Sequence, residues 1–250
     1  MPRGYGPVEV EPFAAVVDQY DSGRPGYPDA LYDELEPLSG MTVLEGGAGT
    51  GIATVSLHRR KAHVIPFDIG LSMLARATQK ASGISGVVAD GAVMPFRDEC
   101  ADLLCFAQAW HWLDEKRRAI EAARVLRPLG RWAAWWSHAR ADGERWFETY
   151  WETVEGSTVA RRHERDTDWG ADLLASDLFD VRDRRTFSWI RETSVEQWLK
   201  DDASKSYIAS LPEPDRAALL SEIRQAITNS FPEGQMRVPY ETYLWVATKR

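Results

Sequence analysis

Four glycines in six residues, Gly46-Gly47-Ala48-Gly49-Thr50-Gly51, follow the apolar run Thr42-Val43-Leu44 and a single acid, Glu45. No other feature narrows so sharply what the chain can become. Glycines at alternate positions let the backbone turn from a buried strand into a helix and let a ligand approach the main chain closely. The free N–H groups of the helix that follows, Ile52 to His58, point at whatever is bound. An ordinary glycine-rich strand-to-helix turn has the same composition, so the turn needs further residues to become a site.

The surrounding chain supplies matching units. Val64–Phe67 ending in Asp68, Val87-Val88 ending in Asp90, and Ala101–Ala107 read as strands, with Leu71–Lys80 as a helix between the first two. Ala101–Ala107 is apolar almost throughout, the pattern of a strand buried on both faces. Asp114 suits the cap of a helix to Leu126, stopped by Pro128 and Gly130, and Arg131–Ser137 reads as a fifth strand. Strands alternating with helices at this spacing predict an α/β fold, a parallel sheet with helices on both faces. Ahead of it, Phe13–Tyr20 and Pro28–Leu35 read as helices. Behind it come a helical segment over Ala139–Ser176, a strand over Val181–Ile190, helices over Ser194–Ile227 broken by Pro212 and Pro214, and a closing strand, Val238–Thr248.

The turn's own residues choose among nucleotide ligands. A dinucleotide fingerprint starting at Gly47 and Gly49 needs a third glycine at position 52, where Ile52 stands. Glu45 would repel a pyrophosphate but suits an ammonium or sulfonium charge, which points to S-adenosylmethionine. Asp68, at the end of the second strand, is placed to accept both hydroxyls of a ribose. Asp90, at the end of the third, can take an adenine amino group. Each acid alone is an ordinary loop acid or helix cap; three at successive strand ends form one ligand-binding edge.

Composition excludes other classes. The chain of 250 residues carries 30 basic and 38 acidic residues, a formal charge of -8, with no basic stripe of the kind nucleic-acid binding requires. Its apolar stretches, around Leu103–Leu113 and Trp132–Trp136, are too short to span a bilayer. The first residues hold no apolar segment of the secretory type, and the two cysteines, Cys100 and Cys105, have no metal-binding spacing, so a cytoplasmic protein without a metal is expected. The oligomeric state is not readable.

Val43-Leu44-Glu45-Gly46-Gly47-Ala48-Gly49-Thr50-Gly51 resembles motif I of class I S-adenosylmethionine-dependent methyltransferases. Met94-Pro95-Phe96, Ala101-Asp102-Leu103-Leu104 and Arg124-Val125-Leu126-Arg127-Pro128-Leu129-Gly130 resemble the downstream blocks of the methyltransferase type 11 group, with Leu129 where a glycine is more usual. The similarity covers residues 13–137. Tyr20-Asp21-Ser22-Gly23-Arg24-Pro25-Gly26-Tyr27-Pro28 and Gln108-Ala109-Trp110-His111-Trp112-Leu113-Asp114 are similar to segments of trans-aconitate methyltransferase-like enzymes, which methylate small carboxylic acids or other small molecules. The resemblance implies a Rossmann-like seven-stranded sheet in one domain over 1–250, with an N-terminal helical cover (1–40), a cofactor-binding core (41–138) and an acceptor-side insertion with closing strands (139–250).

It also implies a site. Arg24, Glu45, Gly47, Gly49, Gly51, Asp68, Ile69, Asp90, Gly91 and Gln108 fall where that family binds the cofactor. Arg24 is either the partner of the methionine carboxylate or a surface arginine. Tyr20, Tyr27, Trp110, Trp112 and His138 fall on the acceptor side, with Trp110 and Trp112 divided between pocket wall and core. His111 is the candidate general base for a hydroxyl acceptor, or else a packing residue beside the cofactor; of Trp135 and Trp136, alternating along a strand, one can face the ligand. The expected activity is transfer of a methyl group to a carboxylate or hydroxyl oxygen of a small molecule. A nicotinamide-dependent oxidoreductase and a cofactor-binding protein without methyl transfer are the alternatives. All 11 tryptophans lie at position 110 or later, in the part that should build the acceptor pocket. Large rings suit an apolar or aromatic acceptor, or a cation.

Overall fold

The computed structural model describes residue 21 and residues 23–250. Eight strands among them form one sheet: β1 (Thr42–Gly46), β2 (His63–Asp68), β3 (Val87–Val88), β4 (Ala101–Ala107), β5 (Leu126–Ala139), β6 (Phe179–Val181), β7 (Arg185–Ser194) and β8 (Gln235–Lys249). The order is β3-β2-β1-β4-β5-β8-β6, with β7 also paired to β8. From β3 to β5 every pairing is parallel; β8 enters antiparallel between β5 and the β6/β7 edge. The expected single strand over Val181–Ile190 is thus two strands. Both pair with the same edge of β8, β6 with Ala247–Lys249 and β7 with Gln235–Leu244, so the seven-position Rossmann-like order holds with its edge position interrupted.

Alternation along the central strands sorts the core into two faces. Leu44, Leu104, Phe106, Trp132 and Trp136 turn to the face covered by α4 (Arg118–Val125) and α6 (Ala171–Ala175). Val43, Leu103, Cys105, Ala133 and Trp135 turn to the face covered by α1 (Asp29–Glu34) and α2 (Ile52–Arg59). Helix α3 (Leu71–Lys80) follows β2. A third apolar cluster joins α5 (Arg145–Ser157), α7 (Val195–Ala203), the short α8 (Ser206–Ala209) and α9 (Glu213–Thr228) with the start of β8. This is the expected helical insertion, built around Trp146, Tyr150 and Trp198.

Two boundaries differ from expectation. The helix after β4 begins at Arg118; the Asp114 carboxylate instead accepts the Lys116 amide within a preceding turn. It ends at Val125, and β5 starts at once, pairing Leu126 with Ala101 before the ladder resumes at Arg131 with Leu103. Pro128 and Gly130 therefore break the ladder inside a strand rather than separating helix from strand. Leu129 holds φ 61° there, the left-handed conformation that favours the glycine usual at this position.

Leu104 is fully buried at the centre of β4. Leu104→Ala should lower stability by about 2–5 kcal/mol, read as a lower urea midpoint at unchanged m-value. A shift below about 1 kcal/mol would contradict a tightly filled sheet face.

Candidate active site

At the carboxyl edge of β1 the strand order reverses, β2 lying on one side and β4 on the other, which is where open parallel sheets bind ligands. The turn there is made of left-handed residues: Gly47, Gly49 and Gly51 have φ of 62°, 54° and 81°. A Cβ at Gly47 would collide with the Ala109 methyl beyond β4, so the turn passes directly against the β4 loop. Gly51 caps α2 without a side-chain hydrogen bond.

Asp68 ties this turn to the end of β2. Its Oδ2 accepts the Gly49 amide at 2.8 Å and its Oδ1 accepts the Gly70 amide at 2.7 Å. Burial raises its pKa, against the lowering effect of the Gly70 and Gly49 amides. A carboxylate has about four acceptor positions, so two amide bonds leave capacity for ribose hydroxyls. Ile69 is exposed beside it. Asp90 is exposed and accepts the Ala92 amide at 2.8 Å through Oδ1. At Gly91 a Cβ would lie 2.8 Å from the end of the Leu113 side chain, so the β3 and β4 loops meet closely there.

Glu45 is 1% exposed, and neither carboxylate oxygen makes a well-formed hydrogen bond. Burial pushes its pKa up to about 8, and the nearby Thr54 hydroxyl and amide favour its charged form only in part. An orphaned buried acid at the base of the turn is what an ammonium or sulfonium ligand would complete, and a phosphate would not. Glu45, Gly47, Gly49, Gly51, Asp68 and Asp90 together fit an S-adenosyl group on these grounds.

Past β4 the chain makes one 3-10 turn, Trp110–Trp112. Gln108 has φ 57°, donates its amide to the Trp135 carbonyl at 2.8 Å and sends Nε2 to the Tyr27 hydroxyl at 3.4 Å. Tyr27 in turn meets Trp135 edge-on at 5.7 Å. Trp112 reaches a cavity of about 270 Å3 between the sheet edge and the α5–α8 insertion. Trp110 does not. It is fully buried between Phe106 and Trp132, held by a bond from its indole to Asp172 and by Arg118 over its ring, so of the two expected places, pocket wall and core, it takes the core. Trp136 faces the cavity and Trp135 the opposite layer.

His111 also lines the cavity, among Trp112, Trp136 and Trp169. Its Nδ1 accepts the Trp136 indole N–H at 3.2 Å, which puts the proton of the neutral ring on Nε2. Burial, with Arg118 nearby, pushes its pKa down to about 3. His138 sits two residues beyond Trp136 on the same strand face; its Nε2 is buried without a partner, and burial again drives its pKa to about 3. Arg24 is no lone surface arginine. Its Nε donates to Ser204 Oγ at 3.1 Å and lies 3.2 Å from Asp201 on α7. Next to it the Gly23 carbonyl accepts from Arg191, itself paired to Asp201 at 2.6 Å. Tyr20 lies outside the described residues. No group of three or more potential metal ligands occurs among them, and no described helix is long and apolar enough to cross a membrane.

The cavity brings in residues that no motif marks. Lys205 donates to Asp202 at 2.5 Å and to the Tyr150 hydroxyl at 3.1 Å, and Arg165 donates to the Ala139 carbonyl at 2.7 Å and to Asp142 at 2.9 Å. One signal was available: on α7, Val195, Trp198 and Asp202 share a helical face, so an acid stands where a core residue belongs.

The Glu45 pKa has a consequence for stability. Its folded value of about 8 exceeds the ordinary 4.5, so the folded chain keeps a proton that the unfolded chain loses, and stability falls as pH rises from about 4.5 to 8. Glu45→Gln should match the parent Tm near pH 4.5 and exceed it at pH 8, by an effect on the order of a few kcal/mol. Thermal denaturation at both pH values checks this, and equal differences at both would refute it.

Comparison with known proteins gives the family of the chain. A methyltransferase domain model matches residues 44–134, from β1 through the middle of β5. Over 247 residues the chain is 30% identical to the uncharacterized methyltransferase Mb3374 of Mycobacterium bovis, covering 94% of this chain and 95% of that one. The fold is shared with a candidate type II methyltransferase from Anaeromyxobacter dehalogenans, at TM-score 0.68, 18% identity and coverage of 91% and 97%. It is shared too with the Streptomyces coelicolor geranyl diphosphate C-methyltransferase, solved with S-adenosyl-L-homocysteine, at TM-score 0.50, 15% identity and coverage of 89% and 74%. These likenesses remove the nicotinamide oxidoreductase alternative: the chain belongs to the class I S-adenosylmethionine-dependent methyltransferases.

Proposed function

We propose that the protein methylates an oxygen of a small organic acceptor held in the cavity between the sheet edge and the helical insertion. The observation that carries this is the cavity itself: about 270 Å3, walled by aromatic side chains and bordered by Gln108, His111 and Trp112 after β4, the segment whose Ala109 packs against Gly47 of the glycine turn. Such a recess suits a small molecule rather than a polymer. The resemblance of the Gln108–Asp114 segment to small-acid methyltransferases supports the same class.

S-adenosylmethionine supplies, when bound, a methyl group on a positively charged sulfur. Glu45 would meet its charged amino-acid part, Asp68 the ribose, and Asp90 with Ile69 the adenine. The chain's remaining task is to align an acceptor atom and keep water away, which the rings of Trp112, Trp136 and Trp169 perform. Proton removal is a different matter. With Nδ1 occupied by the Trp136 indole and a pKa near 3, His111 serves as a hydrogen-bond donor and wall rather than as a base. His138, with a pKa also about 3, is no better suited. The acceptor oxygen therefore arrives already ionised, as a carboxylate or an acidic hydroxyl does.

The test combines binding and turnover. S-adenosylmethionine and S-adenosylhomocysteine should raise the Tm and NAD(P) should not; Asp68→Ala should weaken S-adenosylhomocysteine binding by about 1.5–3 kcal/mol through two lost ribose hydrogen bonds. Unchanged affinity by calorimetry would overturn the Asp68 assignment. Isotope-labelled methyl transfer to a panel of organic acids and acidic phenols separates an enzyme from a protein that only holds the cofactor. On an acceptor ionised at pH 7, His111→Ala should stay within about tenfold of the parent; a fall of the 10²–10⁴ typical of a lost general base would refute the base-free reading.

A further inference from the structure

We infer that the acceptor is an aromatic organic anion whose charged group is gripped by Lys205 at the insertion end of the cavity, leaving a second, ionised oxygen to be methylated at the His111 end. This deepens the methyl-transfer reading and rests on it.

Three independent observations converge. The first is charge. Four cationic side chains line the cavity, Arg24, Arg161, Arg165 and Lys205, against two carboxylates, Asp201 and Glu164. Arg24 is paired to Asp201, Arg165 to Asp142 and Lys205 to Asp202, so these cations offer the cavity donors held from behind rather than a net positive field.

The second is unmet donors. The indole N–H groups of Trp151 and Trp198 are buried with no partner, and both residues line the cavity. An indole N–H only donates, so its complement must be an acceptor. Lys205 adds a third. Asp202, fully buried behind it, takes one ammonium proton at 2.5 Å and the Tyr150 hydroxyl oxygen takes another at 3.1 Å, which leaves one N–H without a partner among the described residues. The Tyr150 hydroxyl donates to the same Asp202 oxygen at 2.9 Å, so the ammonium is held from behind and cannot swing away. A carboxylate satisfies such donors without bringing any proton of its own.

The third is shape. Flat rings face the cavity from both sides: Trp136 and Trp169, stacked at 5.2 Å, on the sheet side, and Tyr150, Trp151, Trp198 and Tyr240 on the insertion side. Planar walls favour a planar body between them. In the transfer, a lone pair of the acceptor's ionised oxygen forms the bond to the methyl carbon as the carbon–sulfur bond breaks and its electron pair returns to sulfur. No proton moves, and the gripped carboxylate stays on the product.

The test uses the full chain loaded with S-adenosylhomocysteine and titrated at pH 8, where an ortho-nitrophenol is ionised, with 4-hydroxy-3-nitrobenzoate, its amide 4-hydroxy-3-nitrobenzamide and tyramine, by tryptophan fluorescence and calorimetry. The acid should bind at least tenfold tighter than the amide, and tyramine weakest. Lys205→Met combined with Asp202→Asn removes the buried pair as a neutral unit and should erase that discrimination with S-adenosylhomocysteine affinity unchanged. Trp151→Phe, which deletes one donor at nearly constant volume, should weaken the acid severalfold and leave the amide unaltered; it decides the matter if the double variant fails to fold. Equal binding of acid and amide, preference for tyramine, no binding by any of the three, or full discrimination without Lys205 or the Trp151 donor overturns the inference. Failure to bind S-adenosylhomocysteine at all would instead sink the methyl-transfer reading beneath it.

Discussion

A parallel sheet covered by helices on both faces has one place left for chemistry, the edge where its strands end. Every backbone group inside the sheet is committed to its ladder, and the apolar faces around Leu104 and Leu103 are filled. Ligand contacts must therefore come from the loops after β1, β2, β3, β4 and β5. Those loops, with the last residues of the strands that lead into them, carry Glu45 to Gly51, Asp68, Asp90, Gln108 to Trp112, and His138. Asp68 turns a set of loops into a surface, because accepting the Gly49 and Gly70 amides fixes the glycine turn relative to the end of β2.

The insertion answers a problem that this edge cannot solve alone. An open row of loops can bind a polar nucleotide but offers little apolar surface for a second molecule. Helices α5 and α7 bring Tyr150, Trp151 and Trp198 opposite Trp136 and Trp169, and buried ion pairs at Asp201 and Asp202 set the polar groups among them. Such pairs add little net stability. They do fix where charge stands in an otherwise aromatic recess, which is what discrimination between small molecules requires.

How much of this could be read from the residues depended on how local each signal was. Strand β4 was legible at both ends because burial on two faces writes a continuous apolar run, and the glycine turn was legible because backbone geometry permits few alternatives there. The place of Trp110, wall or core, was not legible because three residues in a 3-10 turn point in three directions, and nothing in Trp-His-Trp says which ring goes inward; Arg118 and Asp172, eight and 62 residues away, decide it. The start of α4 moved because Asp114 satisfied a nearer amide first. The cavity floor was invisible for a plainer reason: Tyr150, Lys205 and His138 come from three separate elements, and their meeting is a property of packing rather than of any one segment.

Glu45 also changes what the arrival of a ligand means. At neutral pH a carboxyl with a pKa of about 8 is mostly protonated, so the base of the turn holds a hydrogen rather than a negative charge. A cation that settles against it lowers that pKa and drives the proton into solvent. Occupation of the turn by a cation would then be an exchange of one positive charge for another, with no net charge carried into the buried site. The heat of that exchange would vary with the ionisation enthalpy of the buffer, and the affinity for such a cation would rise with pH until Glu45 is ionised in the empty protein as well.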